Sequence, residues 1–282
     1  MKMTDCIEIK DLCKRFPGFS LDNINLKLPT GTVTGLIGNN GAGKTTLIKC
    51  ITGAVIPDSG EIRFPGERMS RHIAVVFDGC HLPTELTGSQ ISEVMEDLVD
   101  GWDAASFRGS MERFRIPMDK KVKTLSSGML KKLQIAVANA QDAKLIILDE
   151  PTAGLDPAAR DEFLDDVLGY MQDENRTVLI SSHITSDLEK IADYVAFIHD
   201  GRMEFSDEKD AILEKYGIMK CGSEDDLRRI GGSSIVTVRR NDFGVQALVD
   251  DRCGLMEAYP DAVIDPASLD DILVFMIRGE HI

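Results

Sequence analysis

Apolar residues recur along this chain with two periods, and the period predicts the element. Near the start, Cys6 to Ile9 and Leu21 to Leu28 read as short strands, the second with partial alternation. Val33 to Ile37 is a more continuous apolar strand, and Thr46 to Thr52 after it has helical character. Pro57-Asp58-Ser59-Gly60 is a turn, Glu61 to Phe64 a short strand, and Ile73 to Phe77 a strand ending at Asp78-Gly79. From about residue 87 to residue 140 the pattern turns helical. Ile91, Val94, Met95, Leu98 and Val99 form one stripe with Ser89 available as N-cap, and Leu130, Leu133, Val137 and Ala140 form another.

Leu145 to Leu148 is fully apolar, as in a strand buried inside a parallel sheet, and it delivers Asp149-Glu150 at its end. Pro157 suits the first turn of a helix carrying Phe163, Leu164, Val167, Leu168 and Met171. Val178 to Ser181 is another buried strand, followed by His183. Tyr194 to His199 and Arg202 to Phe205, joined by Asp200-Gly201, read as a hairpin. Beyond Lys215, Gly217, Gly222, Gly231 and Gly232 punctuate shorter elements. These include a strand at Ile235 to Val238 and a final helix whose Ser268 and Asp271 form a capping pair before Leu269, Ile272, Leu273 and Met276. The expectation is an α/β core over residues 1–212 with a helical insertion at about 87–140. Residues 213–282 are either a small accessory region or a segment that packs back on that core.

Composition narrows the partners. The 282 residues are 43% hydrophobic, ample for a core, and carry 32 basic against 47 acidic side chains, a formal net charge of −15. Neither a broad phosphate-tracking surface nor a direct nucleic-acid partner is expected on that charge. The six cysteines, Cys6, Cys13, Cys50, Cys80, Cys221 and Cys253, lack a Cys-x-x-Cys pair, which suits a reducing cytosol with neither zinc nor disulfides. Met1 to Lys10 has no apolar signal core, and runs such as Leu273 to Ile277 fall far below the roughly 20 residues that span a bilayer. Any membrane part is expected to come from a partner.

The chemistry concentrates at Gly38-Asn39-Asn40-Gly41-Ala42-Gly43-Lys44-Thr45-Thr46, set between a strand and a helix. Glycines let successive backbone amides turn onto a polyphosphate, and the helix adds the positive end of its dipole. Lys44 is placed to reach the β- and γ-phosphates and the Thr45 hydroxyl to hold Mg2+, so the fold implied is a P-loop NTPase core; the strands before it are expected to form an N-terminal antiparallel β region. Asp149 and Glu150 emerge where open α/β sheets bind ligands, with Asp149 suited to Mg2+ and Glu150 to the attacking water. Leu125-Ser126-Ser127-Gly128-Met129 sits at a helix start, ready for an anion.

In this order the motifs resemble the nucleotide-binding subunit of ABC transporters over about residues 5–206. Gly38 to Thr45 matches the family's Walker A, Leu125 to Met129 its signature loop, and Leu145 to Glu150 its Walker B with the catalytic glutamate. Ala153-Gly154-Leu155-Asp156 matches the loop that communicates between subunits, and His183 the switch histidine. The resemblance implies ATP and Mg2+ as cofactors and catalysis by Glu150 with His183 at the γ-phosphate. It also implies a head-to-tail dimer around two ATP, in which Ser126 and Gly128 complete the facing subunit's site. Phe16 is the family's candidate for stacking on adenine, beside a plain structural role, with Phe19 its nearest rival.

Two departures stand out. The signature has Ser127 and Met129 where glycine and glutamine are commonest, and Asp78 replaces the glutamine that links Mg2+ and water to the membrane partner. Asp78 is open to two readings, a contact to Mg2+-bound water or closure of the turn with Gly79. Together with Leu82 to Thr87 and Ser268 to Ile272, it resembles the subfamily serving ABC-2 type permeases, often exporters of drugs or peptides. The implied function is an ATPase subunit on the inner face of the cell membrane, powering a separate permease. The alternative is a non-transport ATPase of the same family acting as a switch on a macromolecular partner. DNA-repair members carry long insertions and translation factors two cassettes, neither of which is present, and a GTPase would need an Asn-Lys-x-Asp element that is absent.

Overall fold

A computed structural model describes residues 5–65, 73–79, 81–221, 234–241 and 244–280. Cys80, Gly222, Gly231 and Gly232, and the first four residues, lie outside them. The chain divides into two compact units, Met1–His183 with Lys190–Ser206, and Ile184–Glu189 with Asp207–Ile282.

In the first unit β1 (Asp5–Phe16), β2 (Phe19–Pro29) and β4 (Ser59–Arg63) form an antiparallel sheet in the order β2-β1-β4. β1 runs well past the expected Ile9. Register shifts between Ile9 and Leu12 and between Leu12 and Lys14, with Asp11 at φ 49°, break the alternation that would have revealed it. The second sheet orders β5 (Ile73–Val76), β6 (Leu145–Asp149), β7 (Thr177–Ser182), β3 (Val33–Ile37), β8 (Tyr194–His199) and β9 (Arg202–Glu208). Its first five strands pair in parallel, which buries both faces and explains why β3, β6 and β7 are buried at every position. The expected hairpin follows, with Asp200 and Gly201 at φ 43° and 76°, the pair of positive angles a two-residue turn needs. A Cβ on Gly201 would stand 1.8 Å from the Ser20 carbonyl oxygen, so only glycine fits there.

The core joins both sheets through Ile7, Ile9 and Leu12 of β1, Leu47 and Ile48 of α1 (Lys44–Ile51), and Leu145, Ile147 and Leu179 of the parallel strands. Burying these side chains removes a large apolar area from water, and it fixes α1 over the sheet. The helical insertion holds α2 (Gly88–Leu98), α3 (Ala104–Arg113) and α4 (Ser127–Asn139). Two expectations need correcting here. The N-cap of α2 is Thr87, not Ser89, because Thr87 finds Gln90 three residues on and closes a full capping box, while the Ser89 hydroxyl donates to the Met118 carbonyl. The α2 stripe is also only partly buried: Ile91 is covered, but Val94 and Leu98 are 41% and 74% exposed. The N-terminal end of α2 packs where a Cβ on Gly88 would meet Met111 at 2.8 Å, and its last turn is left uncovered.

α5 (Pro157–Tyr170) starts at Pro157 behind the N-cap Asp156, and α6 (Thr185–Ile191) follows β7. The second unit contains α7 (Lys209–Lys215), an antiparallel sheet of β10 (Gly217–Cys221), β11 (Ile235–Asn241), β12 (Gly244–Val249) and β13 (Val263–Pro266), α8 (Arg252–Ala258) and α9 (Leu269–Arg278). The sheet order is β11-β12-β10-β13, around Met219, Val238, Ala247, Val249, Leu255 and Ile264. Three of these strands go unseen in the sequence because Lys220, Gln246 and Asp265 interrupt their short apolar runs.

The capping pair of α9 forms as expected: Ser268 Oγ accepts from the Asp271 amide at 3.1 Å, and the Ser268 amide donates to Asp271 Oδ2 at 3.0 Å. Ser268→Ala is expected to cost α9 about 1 kcal/mol. Hydrogen exchange of the α9 amides should then speed by about fivefold, and unchanged exchange would contradict the capping role.

Candidate nucleotide site

β3 and α1 position the phosphate loop between them. Gly38 follows β3 so closely against the hairpin that a Cβ there would sit 2.3 Å from the Ile198 carbonyl oxygen. Gly43, the N-cap of α1, has φ 114°, and a Cβ on it would meet Leu21 at 2.6 Å. The first amides of α1 have no partner within the helix, which is the usual condition of a helix start and the basis of its affinity for anions. Lys44 is buried; its ammonium donates to the carbonyls of Gly38 (2.6 Å) and Asn39 (3.3 Å) and lies 3.0 Å from Glu150 Oε1. Among the described residues that buried carboxylate oxygen makes no well-formed hydrogen bond, so its contact with Lys44 is electrostatic.

At the ends of β6 and β7 a continuous hydrogen-bond chain forms. Thr45 Oγ1 donates to Asp149 Oδ2 (2.8 Å), Ser181 Oγ donates to Asp149 Oδ1 (2.6 Å), and the Glu150 amide donates to Ser181 Oγ (2.9 Å). Asp149 is only 1% exposed, so both of its oxygens are met by donors, as burial demands. Glu150 leaves the strand at φ 47°, a conformation that non-glycine residues adopt mainly where the surroundings enforce it. Its Oε2 lies 2.7 Å from His183 Nδ1, which makes a carboxylate–imidazole pair beside the loop.

A cleft of about 620 Å3 opens above these groups. Asn39, Asn40, Gly41, Gly43, Lys44, Thr45, Thr46, Asp78 and Glu150 line it, together with Gly18 and Phe19. Ala42 is buried in the loop wall, with its amide on the Asn39 carbonyl, and Asp149 lies buried behind Thr45, whose hydroxyl donates to it. Phe16 does not line this cleft. It is 42% exposed beside a second depression of about 490 Å3, bordered by Arg15, Phe19 and Asp200, whereas Phe19 borders both. Ser126 and Gly128 are not brought to the cleft either: Ser126 caps α4 by accepting from the Met129 amide, and a Cβ on Gly128 would find only Leu155, at 3.8 Å.

Asp78 combines two contacts. Its Oδ1 accepts from the Gly79 amide (3.0 Å), as in a turn, and faces the Lys131 ammonium at 3.2 Å. Sequence reasoning missed Lys131 and gave Ser181 no role beyond ending a buried strand. The position of Ser181, on the strand paired with the one carrying Asp149, was the available signal.

A polyphosphate cradle with a carboxylate–imidazole pair at the C-terminal edge of a parallel sheet defines a P-loop nucleotide hydrolase. Residues 21–153 match the ABC transporter family. The lantibiotic transport ATP-binding protein SrtF of Streptococcus pyogenes is 36% identical over 196 residues, covering 67% of this chain and 85% of SrtF. The bacitracin transport ATP-binding protein BcrA of Enterococcus faecalis is 32% identical over 213 residues, covering 72% of this chain and 69% of BcrA. A solved ATP-binding subunit of an ABC transporter superposes with a TM-score of 0.65 at 28% identity, covering 73% of this chain and 91% of its own. The chain belongs to the ABC transporter ATP-binding subunits. It is an ATP-binding, ATP-hydrolysing subunit of a transporter, as its motifs suggested.

Ser181→Ala strips the buried Asp149 carboxylate and the Glu150 amide of a shared partner, a loss of about 1–3 kcal/mol. A lower urea midpoint is expected, and an unchanged one would show that the hydrogen-bond chain does not support the site.

Proposed function

We propose that this chain binds ATP with Mg2+ in the cleft, pairs head to tail with a second copy, and drives a separate permease that exports a peptide or drug-like cargo. The observation that carries the dimer is the placement of Ser126 and Gly128 outside a cleft otherwise rich in phosphate-binding groups. A site that lacks these residues within one chain is completed by the α4 start of the facing copy, whose amides and hydroxyl meet the γ-phosphate. The cargo class follows from SrtF and BcrA, whose names give lantibiotic and bacitracin transport. Among the described residues no helix is long and apolar enough to cross a membrane, so the permease supplies the crossing and holds this subunit at the inner face.

The residues divide the work. Asn39 to Thr46 wrap the phosphates with backbone amides, and Lys44 exchanges Glu150 for the β- and γ-phosphates. That exchange frees Glu150 Oε1 to accept a proton from the attacking water, while His183 holds Oε2 and steadies the γ-phosphate. The oxygen donors of Thr45 and Asp149, already 2.8 Å apart, suit a hard cation that takes its remaining ligands from phosphate and water, so these residues would hold Mg2+. When bound, Mg2+ neutralises charge developing on the phosphates. Phe16, exposed beside the neighbouring depression that shares Phe19 with the cleft, offers a face to the adenine ring, and residues 213–282 form the accessory region of a 1–212 ATPase domain.

Lys44→Ala is expected to lose nucleotide affinity, because its ammonium serves ground and transition states alike; Glu150→Gln should bind ATP but turn it over at least about a hundredfold more slowly. Parent-rate hydrolysis by Glu150→Gln would remove Glu150 from the water-activating role. Sedimentation tests the dimer. ATP should drive Glu150→Gln into a dimer and an added Ser126→Arg should prevent it, whereas monomers throughout would contradict the shared site.

A further inference from the structure

Lys131 lies on the buried face of α4, with a side chain only 10% exposed, yet its ammonium has to be matched by charge. The partner is Asp78, whose Oδ1 is 3.2 Å away and whose own side chain is 65% exposed in the wall of the nucleotide cleft. One helical turn on, Gln134 is also buried, and its Nε2 donates to the Gly79 carbonyl at 2.7 Å. Residues three apart share a helix face, so α4 grips the Asp78-Gly79 turn at two adjacent points. Ser126 and Gly128 stand at the start of the same helix.

We propose that Lys131 is a positioning residue that latches the cleft wall at Asp78 to α4, so that arrival of nucleotide at Asp78 re-seats the helix start that serves the facing ATP. The inference rests on the nucleotide reading of the cleft above and adds a route from it to the signature loop. It also gives the departure at position 78 a physical reason. Glutamine there could not neutralise a buried ammonium, whereas aspartate does so while closing its turn with Gly79. Among the described residues Gln134 Oε1 is buried without a hydrogen-bond partner, a cost that an altered seating of α4 can relieve. A charge presented in the cleft, whether a nucleotide phosphate or its cation, acts on the Asp78 carboxylate. Asp78 cannot move without either stranding Lys131 or carrying it along, and the second course moves α4.

Hydrogen exchange of the full chain with and without MgATP reads residues 41–46 and residues 127–130 separately. In the parent both segments are expected to respond. Lys131→Met keeps the apolar stem but loses the charge, and should keep the phosphate-loop response while the α4 response falls by at least about threefold. Lys131→Arg should restore the α4 response, which a purely structural role for the stem would not require. If Lys131→Met fails to fold, Lys131→Gln, which keeps a polar end without the charge, must show the same selective loss. A full α4 response in either charge-removing variant, or a parent whose α4 ignores MgATP while its phosphate loop is protected, overturns the latch alone. A parent whose phosphate loop ignores MgATP overturns the nucleotide reading and the latch with it.

Discussion

A carboxylate taken out of water has to be met by donors, and in this protein that requirement organises the site. Asp149 at the end of β6 is satisfied from one side by Thr45 on α1 and from the other by Ser181 on β7. Three elements far apart in sequence are thereby fixed at a single carboxylate. Removing either donor would leave a buried acceptor unmet, which costs more than an ordinary hydrogen bond contributes. The parallel sheet beneath supplies the rigidity: β6 and β7 are buried throughout, so their ends move little and the hydrogen-bond chain keeps its geometry.

Above this floor lies a more labile layer of charge. Lys44 is held by two carbonyls and by Glu150, and Glu150 is held by Lys44 and His183. On the proposed function, a polyphosphate in the cleft would compete for Lys44 with greater negative charge than one carboxylate offers. The backbone at Glu150 has a positive φ, and its side chain lines the cleft. The same economy applies to Asp78, which pairs with Lys131 and lines the cleft at once.

The sequence made the central architecture legible where one physical cause dominates. Val33 to Ile37 and Leu145 to Leu148 are strands because continuous apolar runs of that length belong to doubly covered sheets, and both appear where expected. The phosphate loop was legible because its glycines answer to steric limits seen at Gly38 and Gly43. β1 was underestimated where bulges disrupt its alternation, and the cap of α2 was misplaced because Ser89 and Thr87 compete and only Thr87 has a reciprocal Gln90. The C-terminal sheet was mostly hidden, since Lys220, Gln246 and Asp265 break the apolar runs of its short strands. Ser181 and Lys131 escaped for a different reason: each acts through a partner more than thirty residues away, and spacing along one chain does not encode such pairs.

On the proposed function the cleft of one chain is half of a nucleotide site, which a structure of the Glu150→Gln protein with MgATP would reveal. Two copies related head to tail are expected, each ATP held by the phosphate loop of one copy and within hydrogen-bond reach of Ser126 and the Gly128 amide of the other. An ATP bound by a single chain, with Ser126 and Gly128 of every copy left in solvent, would contradict it.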